Sequence, residues 1–209
     1  MDLKARAEEM KTFFDNKIDS YDDVHAAFSE TKRMLTDGLD EGTVSVLDLG
    51  GGTGLELFPL FARFPRARVT VADVSPKMLE VLLKRPFADR VRGICGDFFE
   101  CALGSGYDAV ISTSALHHFC PEDKLVLYRK IRGCLREGGL FLNSDKVSAN
   151  RAAEKADLAD YAADPRRFPH MDTPLAPSTE LRLLEDAGFR EISVNLTDRE
   201  NYRFFSARK

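Results

Sequence analysis

The stretch Val46-Leu47-Asp48-Leu49-Gly50-Gly51-Gly52-Thr53-Gly54-Leu55 decides the fold of this chain. A short apolar run carries an acidic residue, four glycines follow within five positions, and a pattern with helical period begins directly afterwards. This order predicts a strand, a tight turn and a helix start, the unit with which open α/β proteins hold a nucleotide-like ligand. Because glycine has no Cβ atom, the turn can adopt positive φ and a ligand can lie against the backbone.

The spacing of these glycines argues against two common phosphate-binding motifs. A dinucleotide fingerprint needs a third glycine five positions after the first, but Leu55 occupies that position counted from Gly50, and Leu57 counted from Gly52. A P-loop closes with Gly-Lys-Ser/Thr, and no lysine lies between Gly50 and Pro59. A nucleotide-dependent oxidoreductase is therefore disfavoured.

The pattern that remains is Asp-x-Gly-x-Gly-x-Gly, formed by Asp48, Gly50, Gly52 and Gly54. It resembles the first motif of the class I S-adenosylmethionine (SAM)-dependent methyltransferases. The resemblance implies that Asp48 meets the cationic amino-acid portion of SAM, directly or through water. The three glycines would let the chain pass close to the ligand.

Beyond this motif strand-like and helix-like segments alternate, which predicts parallel strands joined by crossovers. The resemblance implies a Rossmann-like, mostly parallel sheet of seven strands in the order 3-2-1-4-5-7-6, with strand seven antiparallel and helices on both faces. The predicted strands are Val44–Leu49, Arg68–Ala72, Val91–Cys95, Tyr107–Ile111, Leu140–Ser144, Ile192–Leu196 and Tyr202–Ala207.

The N-terminal residues 1–40 predict a helical cap on a single domain of residues 1–209. Two helices are expected over residues 2–36, with a break near Asp19–Asp23. The Phe-Asp…Tyr-Asp pattern that includes Tyr21 resembles a segment that covers the SAM pocket in small-molecule methyltransferases, which implies that Tyr21 faces the pocket. The alternative is that Tyr21 packs at a helix break with its hydroxyl in solvent.

Asp73 stands at the end of the second predicted strand, nineteen positions after Gly54. There a carboxylate can accept hydrogen bonds from both hydroxyls of a ribose. The alternative is an Asp that only caps the turn before Ser75, where Ser-Pro predicts a helix start. The neighbouring Val74 and Met78 complete this part of the predicted cofactor site.

Gly96-Asp97-Phe98 follows the third predicted strand. The resemblance implies that Asp97 accepts a hydrogen bond from the exocyclic amine of adenine and that Phe98 lies against the ring. The alternative is that Asp97 caps the turn. Ser112, after the fourth strand, is added to the predicted cofactor contacts.

The segment Ala115-Leu116-His117-His118 resembles a stretch common in small-molecule methyltransferases. It is not the Asn/Asp-Pro-Pro-aromatic sequence typical of enzymes that methylate amino nitrogens of adenine or glutamine. A nucleic-acid base or protein glutamine is thus a less favoured acceptor. Of the two histidines we expect His117 to face the pocket; the alternative is a structural histidine.

Residues 147–177 predict a lid insertion, because a long connection beyond the carboxyl end of a strand is usually functional or mobile. It contains a predicted helix, Asn150–Ala163, and a proline-rich loop with His170. A base is needed only if the acceptor is an alcohol, a phenol or an ammonium. The candidates are His117, His118, His170 and Tyr21, with Asp145 at a strand end as a further one, and His117, His170 and Tyr21 are the residues chosen. The alternative for His170 is a chemically inert loop.

Composition narrows the class of protein. A chain of 209 residues with 44% hydrophobic and 31% charged residues predicts a globular domain, and the net charge of −4 argues against a large nucleic-acid surface. Four scattered cysteines predict no metal site. The charged start and the lack of a long apolar run favour the cytoplasm and no membrane contact. The N-terminal helices leave a homodimer open.

These patterns together predict a methyltransferase that transfers a methyl group from SAM to a small-molecule acceptor by in-line displacement, leaving S-adenosylhomocysteine (SAH). Two alternatives remain open. One is a catalytically silent subunit that keeps the fold and binds a partner protein. The other is a transferase, such as an aminopropyl transferase, that uses a related cofactor without transferring methyl.

Overall fold

The structure, a computed structural model, describes residues 3–25, 29–168 and 170–209. Its centre is a seven-stranded sheet with the order β3-β2-β1-β4-β5-β7-β6, which confirms the predicted order. The strands are β1 (Ser45–Leu49), β2 (Arg68–Asp73), β3 (Val91–Cys95), β4 (Tyr107–Thr113), β5 (Leu135–Lys146), β6 (Arg190–Leu196) and β7 (Tyr202–Arg208).

All neighbouring strands from β3 to β5 are parallel, and β7 runs antiparallel to both β5 and β6. Asp48 of β1 is in register with Val71 of β2 on one side and with Ile111 of β4 on the other. The chain leaves β1 toward β2 and returns later to β4, so the strand order reverses beside β1. Ligands of open α/β sheets bind at such a switch point, at the carboxyl ends of the strands.

Helices cover both faces of the sheet. They are α1 (Leu3–Asp15), α2 (Ile18–His25), α3 (Ser29–Gly38), α4 (Leu57–Arg63), α5 (Pro76–Leu82), α6 (Pro121–Cys134), α7 (Arg151–Ala163) and α8 (Pro177–Asp186). Within the described ranges, no helix has the length and apolar character needed to cross a bilayer.

The predicted helix break near Asp19–Asp23 is wrong, because these residues lie within α2. The chain turns earlier, where Asn16 N donates to Thr12 O and Lys17 N donates to Phe14 O. Asp19 then stands in the first turn of α2, where an acidic side chain stabilises a helix N-terminus. The polar run was therefore a helix start and not a break.

Two apolar layers hold the sheet between its helices. On one face, side chains of α6 and α8 such as Ile131 and Leu184 pack around Phe141 of β5. On the other face, Leu35 of α3 and Leu60 of α4 belong to a second buried cluster. Burial of apolar side chains on both faces is expected for a mainly parallel sheet.

The start of α5 is fixed by Ser75, whose Oγ accepts a hydrogen bond from Met78 N at 3.1 Å, and by Pro76 at the first helical position. This cap was predicted and is confirmed. It places the first turn of α5 immediately after Asp73, at the carboxyl edge of the sheet.

Candidate functional site

The carboxyl ends of β1 to β4 border a cavity of about 650 Å³, called here the main cavity. Helix α1 forms part of its wall through Met10 and Phe14, which stand four positions apart. The structure brings many of the sequence-predicted residues together around it. Those that line it are Tyr21, Gly50, Gly52, Asp73, Val74, Met78, Asp97 and Phe98.

Two of the motif glycines shape this wall, and the third does not. Gly50 and Gly52 line the main cavity with φ of 74° and 50°, values that L side chains rarely adopt. Gly54, with φ of 77°, packs away from the cavity, since a Cβ there would lie 2.4 Å from Leu82 Cδ1. It therefore lets the turn pack on α5 and is placed outside the cavity lining.

Asp73 joins the glycine turn to the start of α5. Its Oδ2 accepts a hydrogen bond from Gly52 N at 2.9 Å, and its Oδ1 accepts one from Ser75 N at 2.8 Å. Burial raises the pKa of this carboxyl to about 6, against the two backbone hydrogen bonds that lower it. The carboxylate retains lone pairs with which it can accept further hydrogen bonds from a ligand in the main cavity.

The opposite end of the main cavity is aromatic. Phe98 lies with its ring 5.9 Å from that of Phe119, and the Arg6 guanidinium of α1 stands 4.6 Å from the Phe119 ring. Arg6 also donates from Nη1 to Asp123 Oδ2 at 2.5 Å. Phe98, Phe119, Arg6 and Asp97 all line the cavity, and this combination of aromatic surface and polar groups suits a purine base.

Besides Gly54, two predicted cofactor contacts lie outside the lining of the main cavity. Ser112 is fully buried and donates from Oγ to Leu49 O at 2.8 Å, so it ties β4 to β1. Ser114, with φ of 54°, lines the cavity in its place. Asp48 is fully buried beneath the glycine turn and is not among the lining residues.

The expectation that His117 faces the cavity does not match the structure, in which His118 is the lining histidine. His118 Nδ1 lies 2.7 Å from Met171 O. A carbonyl can only accept, so Nδ1 carries the proton and Nε2 has a free lone pair. Burial holds the pKa of His118 well below its ordinary value, so the ring is neutral near pH 7.

The other two histidines of this region stand behind or beside His118. His117 is buried, with Nδ1 2.6 Å from Asp145 Oδ1 and its ring centroid 3.9 Å from that of His118. His170 lies with its ring 5.0 Å from His118 and 4.1 Å from Phe13 of α1, outside the cavity lining. The loop after α7 and the N-terminal helix therefore meet over His118.

Tyr21 lines the main cavity but is unsuited to act as a base. Burial, followed by the nearby carboxylates Glu56 and Asp73, raises the pKa of its hydroxyl far above the ordinary value. The ring is stacked on His25 with centroids 3.9 Å apart. Tyr21 thus stays protonated and can serve as a hydrogen-bond donor.

A second cavity of about 280 Å³ lies on the other side of Tyr21 and the glycine turn. Glu56 and Lys32 line it, together with Gly51. The sequence interpretation missed Glu56, and it also missed Arg6 and Met10 of α1, whereas Phe14 belongs to the Phe-Asp…Tyr-Asp pattern that it did recognise. The signal for the α1 residues was present, since Met10 and Phe14 share a helical face, whereas nothing in the pattern marked Glu56.

The residues around the main cavity fit an adenosine-containing cofactor. Asp73 offers a carboxylate at the carboxyl end of β2, Asp97 and Phe98 offer an acceptor and an apolar face, and Gly50 and Gly52 leave room beside the backbone. In the part of the chain that the structure describes, no three His, Cys, Asp or Glu side chains converge as a metal site.

Comparison with known proteins shows similarity to methyltransferases. A family model described as a methyltransferase domain matches residues 47–141. The malonyl-[acyl-carrier protein] O-methyltransferase of Priestia megaterium is 32% identical over 114 residues, which cover 53% of this chain and 42% of that protein. An uncharacterized methyltransferase of Anoxybacillus flavithermus is 29% identical over 73% of this chain and 74% of its own length.

Solved structures share the fold. Human N-acetylserotonin methyltransferase in complex with SAM superposes with a TM-score of 0.69 at 22% identity, over 89% of this chain and 53% of that one. The sheet order and the match over residues 47–141 make this chain similar to methyltransferase domains. It spans less than half the length of the first curated relatives it matches, 42% and 36%.

Proposed function

We propose that the protein transfers the methyl group of SAM to a small-molecule acceptor. The observation that carries the proposal is the main cavity itself. Asp97, Phe98, Asp73 and His118 all line it. One continuous site therefore joins the groups that suit an adenosine to a neutral histidine that suits an acceptor.

Each residue has a role that follows from its geometry. Asp73 accepts hydrogen bonds from the ribose hydroxyls, Asp97 accepts one from the adenine amine, and Phe98 packs against the base. Val74 and Met78 supply apolar walls beside the sugar and base. When bound, SAM supplies a methyl group already activated by a sulfonium, so the protein mainly has to align the acceptor and exclude water.

His118 is proposed to meet the acceptor. Its Nε2 lone pair can accept a hydrogen bond from a hydroxyl and take its proton as the methyl group is transferred. His117 supports this ring from behind through its contact with Asp145, and His170 closes over it beside Phe13. Tyr21 can donate a hydrogen bond from its hydroxyl to a ligand, and its ring shields the glycine turn from water. This set revises the predicted roles of His117, His170 and Tyr21.

The relatives support a small acceptor. They include a malonyl-[acyl-carrier protein] O-methyltransferase and a mitomycin biosynthesis 6-O-methyltransferase. An oxygen acceptor agrees with a histidine whose basic nitrogen is available in the cavity.

Calorimetric titration of the folded protein with SAM, SAH and NAD tests the proposal. We expect saturable binding of SAM and SAH, strongly weakened by Asp73→Ala, and none of NAD. Leu83→Ala on the exposed end of α5 is the matched control and should bind like the wild type. Binding of NAD in place of SAM would overturn the proposal, and SAM binding without turnover on any hydroxyl acceptor would favour a silent subunit.

A further inference from the structure

The glycine turn covers two buried carboxyl groups that have no ordinary partner. Asp48 is fully buried, and Glu56 is 5% exposed. Neither oxygen of Asp48 nor Oε1 of Glu56 has a hydrogen-bond partner among the described residues. The two side chains interact directly with each other, and they are called here the carboxyl pair.

Two carboxyl groups in contact attract each other only if one of them holds a proton, because two carboxylates repel and neither can donate. Burial raises the pKa of both groups, and the neighbouring charge of Glu56 raises that of Asp48 further. The ligand-free pair is therefore stabilised by one shared proton. Burying two carboxyl groups without other partners lowers the free energy of unfolding, and a cationic ligand group would offset this cost.

The pair opens toward the second cavity. Glu56 lines that cavity, and a Cβ atom at Gly51 would lie 2.4 Å from Asp48 Oδ2, so the carboxyl lies directly beneath the turn. Lys32 of α3 lines the same cavity and donates from Nζ to His25 O at 3.0 Å. The cavity thus has an acidic floor and a cationic wall, the charge pattern that complements an α-amino acid.

We propose that Glu56 is a cofactor-binding residue, that the carboxyl pair receives the α-ammonium group of the cofactor, and that the shared proton leaves to solvent when this group binds. The inference rests on the proposed function. It adds Glu56 to the cofactor site and adds the release of one proton on cofactor binding. The balance is simple: a protonated pair and an ammonium group become a deprotonated pair, the same ammonium group in contact with it, and one free proton.

Other charges around the pair bear on its titration. They are Lys32 of α3, Arg85 beyond α5, Asp73 of β2, and Tyr21, Asp22 and His25 of α2. Lys32 and Arg85 lower the pKa of Glu56, and Asp73 raises that of Asp48. Asp73 itself titrates at about 6, so a test of the pair must separate its proton from that of Asp73.

A comparison of two ligands makes this separation. SAH carries the amino-acid end, whereas 5′-methylthioadenosine has the same adenosine and thioether without it. Both are titrated into the protein at about pH 6.5, where an α-amino group is charged, in buffers of different ionisation enthalpy. Because Asp73 meets both ligands, we expect SAH to release about one proton more than 5′-methylthioadenosine.

Variants assign the extra proton to a residue. In Glu56→Gln the amide needs no shared proton, so the two ligands should release equal numbers of protons. Glu80→Gln, on the exposed face of α5, is the matched control and should behave like the wild type. If Glu56→Gln does not fold, the comparison of the two ligands on the wild-type protein still decides the proton count.

The outcomes are distinct. Equal proton release by both ligands in the wild type would overturn the inference and leave cofactor binding intact. An extra proton that persists in Glu56→Gln would remove Glu56 from the site. Failure of both ligands to bind the folded protein would instead overturn the proposed function.

Discussion

His117 and Asp145 form a buried hydrogen-bonded pair behind the main cavity, with 2.6 Å between Nδ1 and Oδ1. Asp145 Oδ2 also accepts a hydrogen bond from Leu116 N at 2.9 Å. One carboxylate of β5 therefore holds the 3₁₀ turn Leu116–His118 that carries both histidines. The position of His118 in the cavity depends on this carboxylate, although the two residues are not in direct contact.

Replacing the carboxylate should loosen this turn. We expect Asp145→Asn to lower turnover and to destabilise the fold by about 3 kcal/mol, the cost of breaking a buried charged hydrogen-bond pair. Although burial raises the pKa of Asp145, its partners, His117 foremost, lower it overall. Its contribution is thus present above the unfolded pKa and is lost as the pH falls through the folded one. Urea unfolding at neutral and at acid pH measures this, and an unchanged midpoint at neutral pH would contradict it.

The histidine that lines the cavity should affect chemistry more than cofactor binding. His118→Asn keeps a side-chain donor at the position of Nδ1 for Met171 O but removes the basic Nε2, so we expect turnover on a hydroxyl acceptor to fall by about 10²–10⁴-fold. The affinity for SAH should stay close to that of the wild type. His170→Gln, at the rim, should cost much less. Equal losses in the two variants would show that His118 has no special role.

Two glycines with the same backbone conformation provide a matched test of packing. Gly54 and Gly106 have φ of 77° and 83°, but a Cβ would clash with Leu82 only at Gly54, and at Gly106 it would meet nothing within 4 Å. Alanine in this conformation costs about 1–2 kcal/mol at either position. We expect Gly54→Ala to cost a further 1–3 kcal/mol, approximately, from overpacking. Denaturant unfolding of both variants measures the difference, and equal costs would contradict the clash.

Binding at the ribose end should depend on pH through Asp73. Because burial raises its pKa to about 6, we expect the affinity for 5′-methylthioadenosine to be constant above that pH and to fall below it. Asp73→Asn should bind weakly at every pH. The effect on the stability of the ligand-free protein has the opposite sign. Because the folded pKa of Asp73 lies above its ordinary value of 3.8, ionisation of Asp73 lowers the free energy of unfolding as the pH rises between these two values. A flat wild-type binding profile would contradict the assignment.

Local signals in the sequence predicted the strands, and the resemblance to a known family supplied their order, which the structure confirms. The glycine turn, the Ser75 cap and the acidic residues after β2 and β3 each mark the end of a strand, and parallel topology places those ends together. These signals predict Asp73, Asp97 and Phe98 as cofactor contacts, and all three line the main cavity.

For the remaining site residues, the question is which side chain points into the cavity, and the sequence pattern does not contain this information. Ser112 and Ser114 are two positions apart, yet only Ser114 lines the cavity, because the backbone there leaves the strand with positive φ. His117 and His118 are adjacent in a 3₁₀ turn, and the choice between them depends on Asp145 and Met171, which come from distant segments. Glu56 was missed because its importance arises only from contact with Asp48.

Helix α1 touches the adenine end of the cavity through Arg6 and the acceptor end through Phe14, whose ring is 6.0 Å from that of His118. Because one helix covers both ends of the cavity, binding and release of the cofactor and of the acceptor are coupled. A movement of α1 that opens the cavity for the cofactor also opens the acceptor site. When α1 returns, it closes both sites. We therefore expect a compulsory order, in which the cofactor binds first and SAH dissociates last. We also expect the opening of α1 to limit the rate of each catalytic cycle.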